Sequence, residues 1–89
     1  MSEGLKALRE HDRLKGSEYL RTLDLYLQNE MSVTRTSQAL FIHRSSLLKR
    51  LDKIQRLLNQ DLSDPDTRLY FRICLALLRE SRPPAGTAS

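Results

Sequence analysis

The sequence predicts an all-α fold, a small domain of about five helices with no sheet, on three observations. Ser17, Ser32 and Asp64 each stand just ahead of an apolar-periodic segment, where a short side-chain oxygen can accept from helix-start amides. Four stripes of apolar residues follow helical spacing. The chain has 89 residues, enough for one small domain with a single core and no covalent staples.

The first helix is expected over about Glu3 to Leu14, with Leu5 and Leu8 as its apolar contacts. It ends before Lys15-Gly16, where glycine can take the left-handed conformation that closes a helix. Ser17 caps a second helix running to about Asn29, which buries Leu20, Leu23 and Leu27 and carries Tyr19 and Tyr26 on its flank. Ser32 then opens a helix of about two turns whose inner face is Val33, Ser37 and Leu40. The small Ser37 lets another helix cross close above it, and Phe41 and Ile42 place apolar bulk at the corner. The next helix begins near His43 or Arg44 and buries Leu47, Leu51, Ile54 and Leu58, spaced i, i+4, i+7 and i+11. Leu58 should still be helical and Asp61 should not, so this tight helix pair spans about 32–59.

Past Leu58 the segment NQDLSDPD breaks the pattern. Ser63 or Asp64 can cap a last helix, Pro65 suits its first position because the missing amide would have no partner there, and Asp66 favours the positive helix end. That helix runs to about Arg79 and is apolar nearly all round, through Leu69, Tyr70, Phe71, Ile73, Cys74, Leu75, Leu77 and Leu78. It must pack against something: the rest of the domain, a second copy, or an upstream domain. Its apolar stretch of about ten residues is too short to span a bilayer, so no membrane partner is expected. The folded domain is read as 1–80, and the tail 81–89 as disordered for want of apolar surface.

The formal net charge is +4, but its location is more informative than its size. Arg44, Lys49, Arg50, Lys53 and Arg56 cluster on the second helix of the pair, with Asp52 the only opposing charge, whereas Asp61, Asp64 and Asp66 gather in a later loop. At about 100° per residue, Ser45, Lys49, Lys53 and Arg56 lie opposite the Leu47 stripe. An apolar floor and a basic roof, on the second of two helices joined by a tight turn, is how a protein offers a helix to the major groove of double-stranded DNA.

Other chemistries find no support. Cys74 stands alone, and no signal-peptide pattern precedes it, which suits a reducing cytoplasm. His43 and His11 have no further His or Cys spaced for zinc, and adjacent His11 and Asp12 point apart on a helix, so neither a metal site nor catalysis is assigned. Gly4, Gly16 and Gly86 are isolated, so no phosphate-cradling loop exists, and no cofactor is expected.

Four segments, EHD at 10–12, LRTLDLYLQN at 20–29, ALFIHRSSLLKRL at 39–51 and DLSDPDTRL at 61–69, together resemble the C-terminal helix-turn-helix domain of the PucR/CdaR class of bacterial transcriptional regulators. The stretch TRTSQALFIHRSSLLKRL is also similar to the DNA-binding end of Fis-type proteins, giving a Fis-like helix-turn-helix. This chain has Ser45-Ser46 where the family usually has Asn-Thr, Leu48 where Arg is common, and Lys49 where an aromatic is frequent. The fold survives such changes, while the preferred DNA sequence need not be shared. The resemblance implies the C-terminal part of a longer regulator whose upstream domain senses an effector metabolite.

The expected mechanism inserts the first turns of the helix from His43 into the major groove. Arg44 and Lys49 can reach guanine O6 and N7 or nearby phosphates, Ser45 and Ser46 can bond a base edge or backbone, and Leu48 can meet a thymine methyl. Thr34 and Arg35 sit where the preceding helix crosses the backbone. Arg50, Lys53 and Arg56 add electrostatic attraction or stay solvated. A module of this size is expected to bind as a homodimer on DNA. The rival reading is a helical protein-interaction or oligomerisation module that works through the apolar final helix.

Overall fold

Helix starts leave amides without intrahelical partners, and at four of the five helices of this chain a side chain accepts from at least one of them. The computed structural model describes residues 2–81 and forms five helices: α1 (Glu3–Lys15), α2 (Tyr19–Gln28), α3 (Val33–Leu40), α4 (Arg44–Leu58) and α5 (Pro65–Ser81). No strand occurs among the described residues. The Ser2 hydroxyl accepts from the Leu5 amide at 3.1 Å, Ser32 from Arg35 at 3.1 Å, and the Asp64 carboxylate from Asp66 at 2.9 Å. Pro65 is the first residue of α5, as expected. Gly16 closes α1 at φ +67°, and Asn59 closes α4 at φ +52°.

α2 starts differently from the expectation. Ser17 caps no amide; Asp12, on the last turn of α1, reaches across the turn and accepts from Tyr19 N at 2.8 Å and Leu20 N at 3.0 Å. The Ser17 hydroxyl donates to the same carboxylate, and His11 Nδ1 lies 2.8 Å from the Ser17 oxygen. Since the single Ser17 proton goes to Asp12, the imidazole donates to Ser17. The His11 ring stacks on Tyr19 with centroids 4.4 Å apart. The EHD segment is thus a clasp joining α1 to α2.

α2 is the helix on which α1, α3, α4 and α5 all pack. The core gathers Leu5 and Leu8 from α1, Tyr19, Leu23 and Leu27 from α2, Leu40 from α3, Leu47, Leu51, Ile54 and Leu58 from α4, and Phe71 and Leu75 from α5. Tyr19 is buried rather than flanking, Leu20 is only half-buried, and Leu62 in the α4–α5 loop belongs to the core although periodicity gave no sign of it. α1 crosses the end of α4 so closely that a Cβ on Gly4 would lie 2.6 Å from the Leu58 carbonyl oxygen. That glycine makes the crossing possible.

One further expectation needs correction. Phe41 does not fill the corner after α3; it adopts φ +57° and is 94% exposed, while Ile42 is half-buried there. The left-handed position closes α3 and turns the chain into α4, and it carries the Phe41 side chain outward. α5 ends at Ser81, within two residues of the expected end near Arg79, and the tail expected at 81–89 lies, from residue 82 on, outside the described residues.

Candidate nucleic-acid interface

α3 and α4 form the expected pair, with its tight turn at residues 41–43. Ser37 is 7% exposed and donates to the Thr34 carbonyl at 3.0 Å, so its small side chain satisfies itself within α3 and leaves room for the crossing. Thr36, fully buried beside it, has a hydroxyl without a hydrogen-bond partner. On α4, Leu47 and Ile54 are fully buried and Leu51 and Leu58 nearly so.

The residues singled out for DNA all face solvent. Thr34, Arg35, His43, Arg44, Ser45, Ser46, Leu48, Lys49 and Lys53 are every one exposed. His43 holds the N-cap position of α4 but its side chain makes no cap bond; its carbonyl accepts from Leu47 N at 3.0 Å. Arg44 Nη1 reaches the Thr34 hydroxyl at 3.3 Å, tying the start of α4 to the start of α3 and placing both residues on one flank. Lys49 and Lys53 have no ion-pair partner among the described residues, whereas Arg56 pairs with Asp52 at 2.9 Å.

Arg50, expected to add electrostatic attraction or stay solvated, makes a structural contact instead. It is half-buried and donates from Nη1 to the Thr22 hydroxyl of α2 at 2.9 Å, and that hydroxyl in turn donates to the Glu18 carbonyl at 2.7 Å. The bond anchors the basic helix to its support. Sequence reasoning had no signal for it, since the partners lie 28 residues apart.

The Asp12 carboxylate is occupied by two amides and a hydroxyl, leaving no free base beside His11. Among the described residues no group of three or more His, Cys, Asp or Glu is placed to hold a metal ion. None of the described helices is long and apolar enough to cross a membrane. On α5, Leu69, Tyr70, Ile73 and Leu77 are 47–60% exposed, a stripe that the other described residues leave uncovered.

Residues 19–77 match the family model described as the PucR C-terminal helix-turn-helix domain. The chain is 35% identical over 60 residues to the purine catabolism regulatory protein of Bacillus subtilis, which covers 67% of this chain and 11% of that protein. It is 32% identical over 79 residues to the proline-responsive transcriptional activator PutR of the same organism, covering 89% of this chain and 19% of the relative. It is 40% identical over 60 residues to the carbohydrate diacid regulator of Escherichia coli, covering 67% of this chain and 16% of the relative. The chain therefore spans less than a fifth of the length of these curated relatives. No solved structure matches it.

Proposed function

The chain belongs to the PucR C-terminal helix-turn-helix domain family, the DNA-binding part of transcriptional regulators, and from that premise we propose that α4 is its recognition helix and enters the major groove of double-stranded DNA. One observation carries this reading. α4 buries Leu47, Leu51, Ile54 and Leu58 while presenting Ser45, Lys49 and Lys53 to solvent, directly behind a helix whose start offers Thr34 and Arg35. Arg44, Ser45 and Lys49 read base edges, Ser46 bonds a base or the backbone, and Leu48 meets a thymine methyl. Thr34, Arg35 and His43 lie against the backbone, and Lys53 adds phosphate attraction. The domain acts in the cytoplasm as the C-terminal part of a longer regulator, two copies bind together, and their half-sites lie about 34 Å apart or a multiple of that.

The test is fluorescence anisotropy on operator and scrambled duplexes across a salt series, with melting curves on each variant. Arg44→Ala and Lys49→Ala should melt within about 0.5 kcal/mol of the parent yet lose about 1–3 kcal/mol of specific binding each. Lys53→Ala should weaken both duplexes equally and lower the salt slope by about one. Parental operator affinity in both Arg44→Ala and Lys49→Ala would remove the recognition face from α4.

A second reading, a protein-interaction module, is favoured by the exposed stripe on α5. It predicts no binding to random duplex DNA at tens of micromolar and low salt, where the first reading predicts binding with a steep salt slope.

A further inference from the structure

We infer, resting on the proposal that α4 reads the major groove, that the turn between α1 and α2 forms the second wall of the interface and receives a DNA backbone phosphate. A helix in a groove about 12 Å wide lies between two phosphate strands, and a protein that fixes its register needs a contact on each. The start of α3, with Thr34, Arg35 and the Arg44–Thr34 bond, serves one flank of α4. At about 100° per residue, Ser46, Arg50 and Lys53 lie on the other flank.

On that flank an open cleft of about 570 Å³ separates α4 from the α1–α2 turn, with Gly16, Ser17 and Glu18 on one side and Ser46, Lys49 and Lys53 on the other. Arg50 also lines it, held in place through Thr22. Three cations thus meet one carboxylate, Glu18, which leans back toward Arg21 at 3.4 Å. A phosphate oxygen there would meet the exposed Lys53 ammonium, which has no ion-pair partner among the described residues, and the remaining N–H groups of the fixed Arg50 guanidinium, while Lys49 at the cleft's edge stays turned to the bases. The Tyr19 and Leu20 amides at the start of α2 are already taken by Asp12, so the α2 terminus is not the receptor; the cations of α4 are. The turn supplies a rigid rim, fixed by the left-handed Gly16 and by the His11–Ser17–Asp12 clasp. Its one unfavourable element is the Glu18 charge.

The test titrates the isotope-labelled chain with a short random-sequence duplex at low salt and follows amide resonances. Glu18→Gln is compared by anisotropy with Glu80→Gln, which makes the same change in charge on exposed α5. Expected are shifts at Gly16, Ser17 and Glu18 together with those of α3 and α4, and about threefold tighter binding for Glu18→Gln than for Glu80→Gln. Shifts in α3 and α4 with residues 16–18 silent, or equal affinities of the two variants, would overturn the second wall and leave α4 as reader. Absence of shifts anywhere would overturn the DNA reading and this inference with it.

Discussion

α4 and α5 are helices of 15 and 17 residues, both rich in leucine, and the domain treats them in opposite ways. α4 sorts its residues with one exception, Leu48, which is 48% exposed: four apolar side chains are no more than 5% exposed, and a polar, basic surface lies opposite them. It packs on α1, α2 and α3. α5 buries Phe71 and Leu75, leaves Leu69, Tyr70, Ile73 and Leu77 in solvent, and among the helices packs on α2 alone. Its placement is helped by the Arg79–Asp24 pair at 3.2 Å and by Arg68, which donates to the Leu62 and Ser63 carbonyls. An amphipathic helix carries its own orientation. A helix apolar on more than one side buries only part of that surface within the domain, and the apolar surface left over is available for another contact.

The contrast breaks most sharply at Leu47. Leu47→Ala removes a fully buried side chain where α3 and α4 cross and should cost about 2–5 kcal/mol in chemical denaturation, with DNA binding lost only through unfolding. A stable Leu47→Ala domain would mean that α4 is not seated by its apolar stripe. Gly4→Ala probes the same seat from the α1 side. Its methyl group meets Leu58 backbone rather than a flexible side chain, so a net loss of about 1–3 kcal/mol is expected although alanine is the better helix former. Stability gained by Gly4→Ala would disprove the close crossing. Phe41→Gly, just ahead of α4, should raise stability by about 1 kcal/mol or less, because glycine adopts the φ of +57° without strain and a 94% exposed side chain surrenders almost no burial. Leu77→Ala on α5 should change stability by no more than about 0.5 kcal/mol. A loss there approaching that of Leu47→Ala, together with a lower sedimentation coefficient, would reveal a second molecule covering α5.

Periodicity and caps made much of this molecule legible in advance. Leu47, Leu51, Ile54 and Leu58 were identifiable because their spacing repeats over four turns, and Ser32, Gly16 and Pro65 because each signals through its own backbone neighbourhood. What escaped depends on residues distant in sequence. The Asp12 cap reaches seven and eight residues ahead, the Arg50–Thr22 bond joins two helices, Gly4 matters only because Leu58 arrives above it, and Leu62 is buried by a loop with no period. The basic face of α4 was readable from the spacing of its charges, but the cleft beside it needed the α1–α2 turn to be brought alongside.

The Asp12 clasp also bears on how the domain opens. The family match begins at residue 19, so α1 stands outside it, yet α1 holds the first amides of α2 and contributes Leu5 and Leu8 to the core. Hydrogen exchange at the Tyr19 and Leu20 amides will therefore report the undocking of α1 rather than simple fraying of α2, making these two protons a local gauge of whether the first helix and the helix at the centre of the fold open as one cooperative unit.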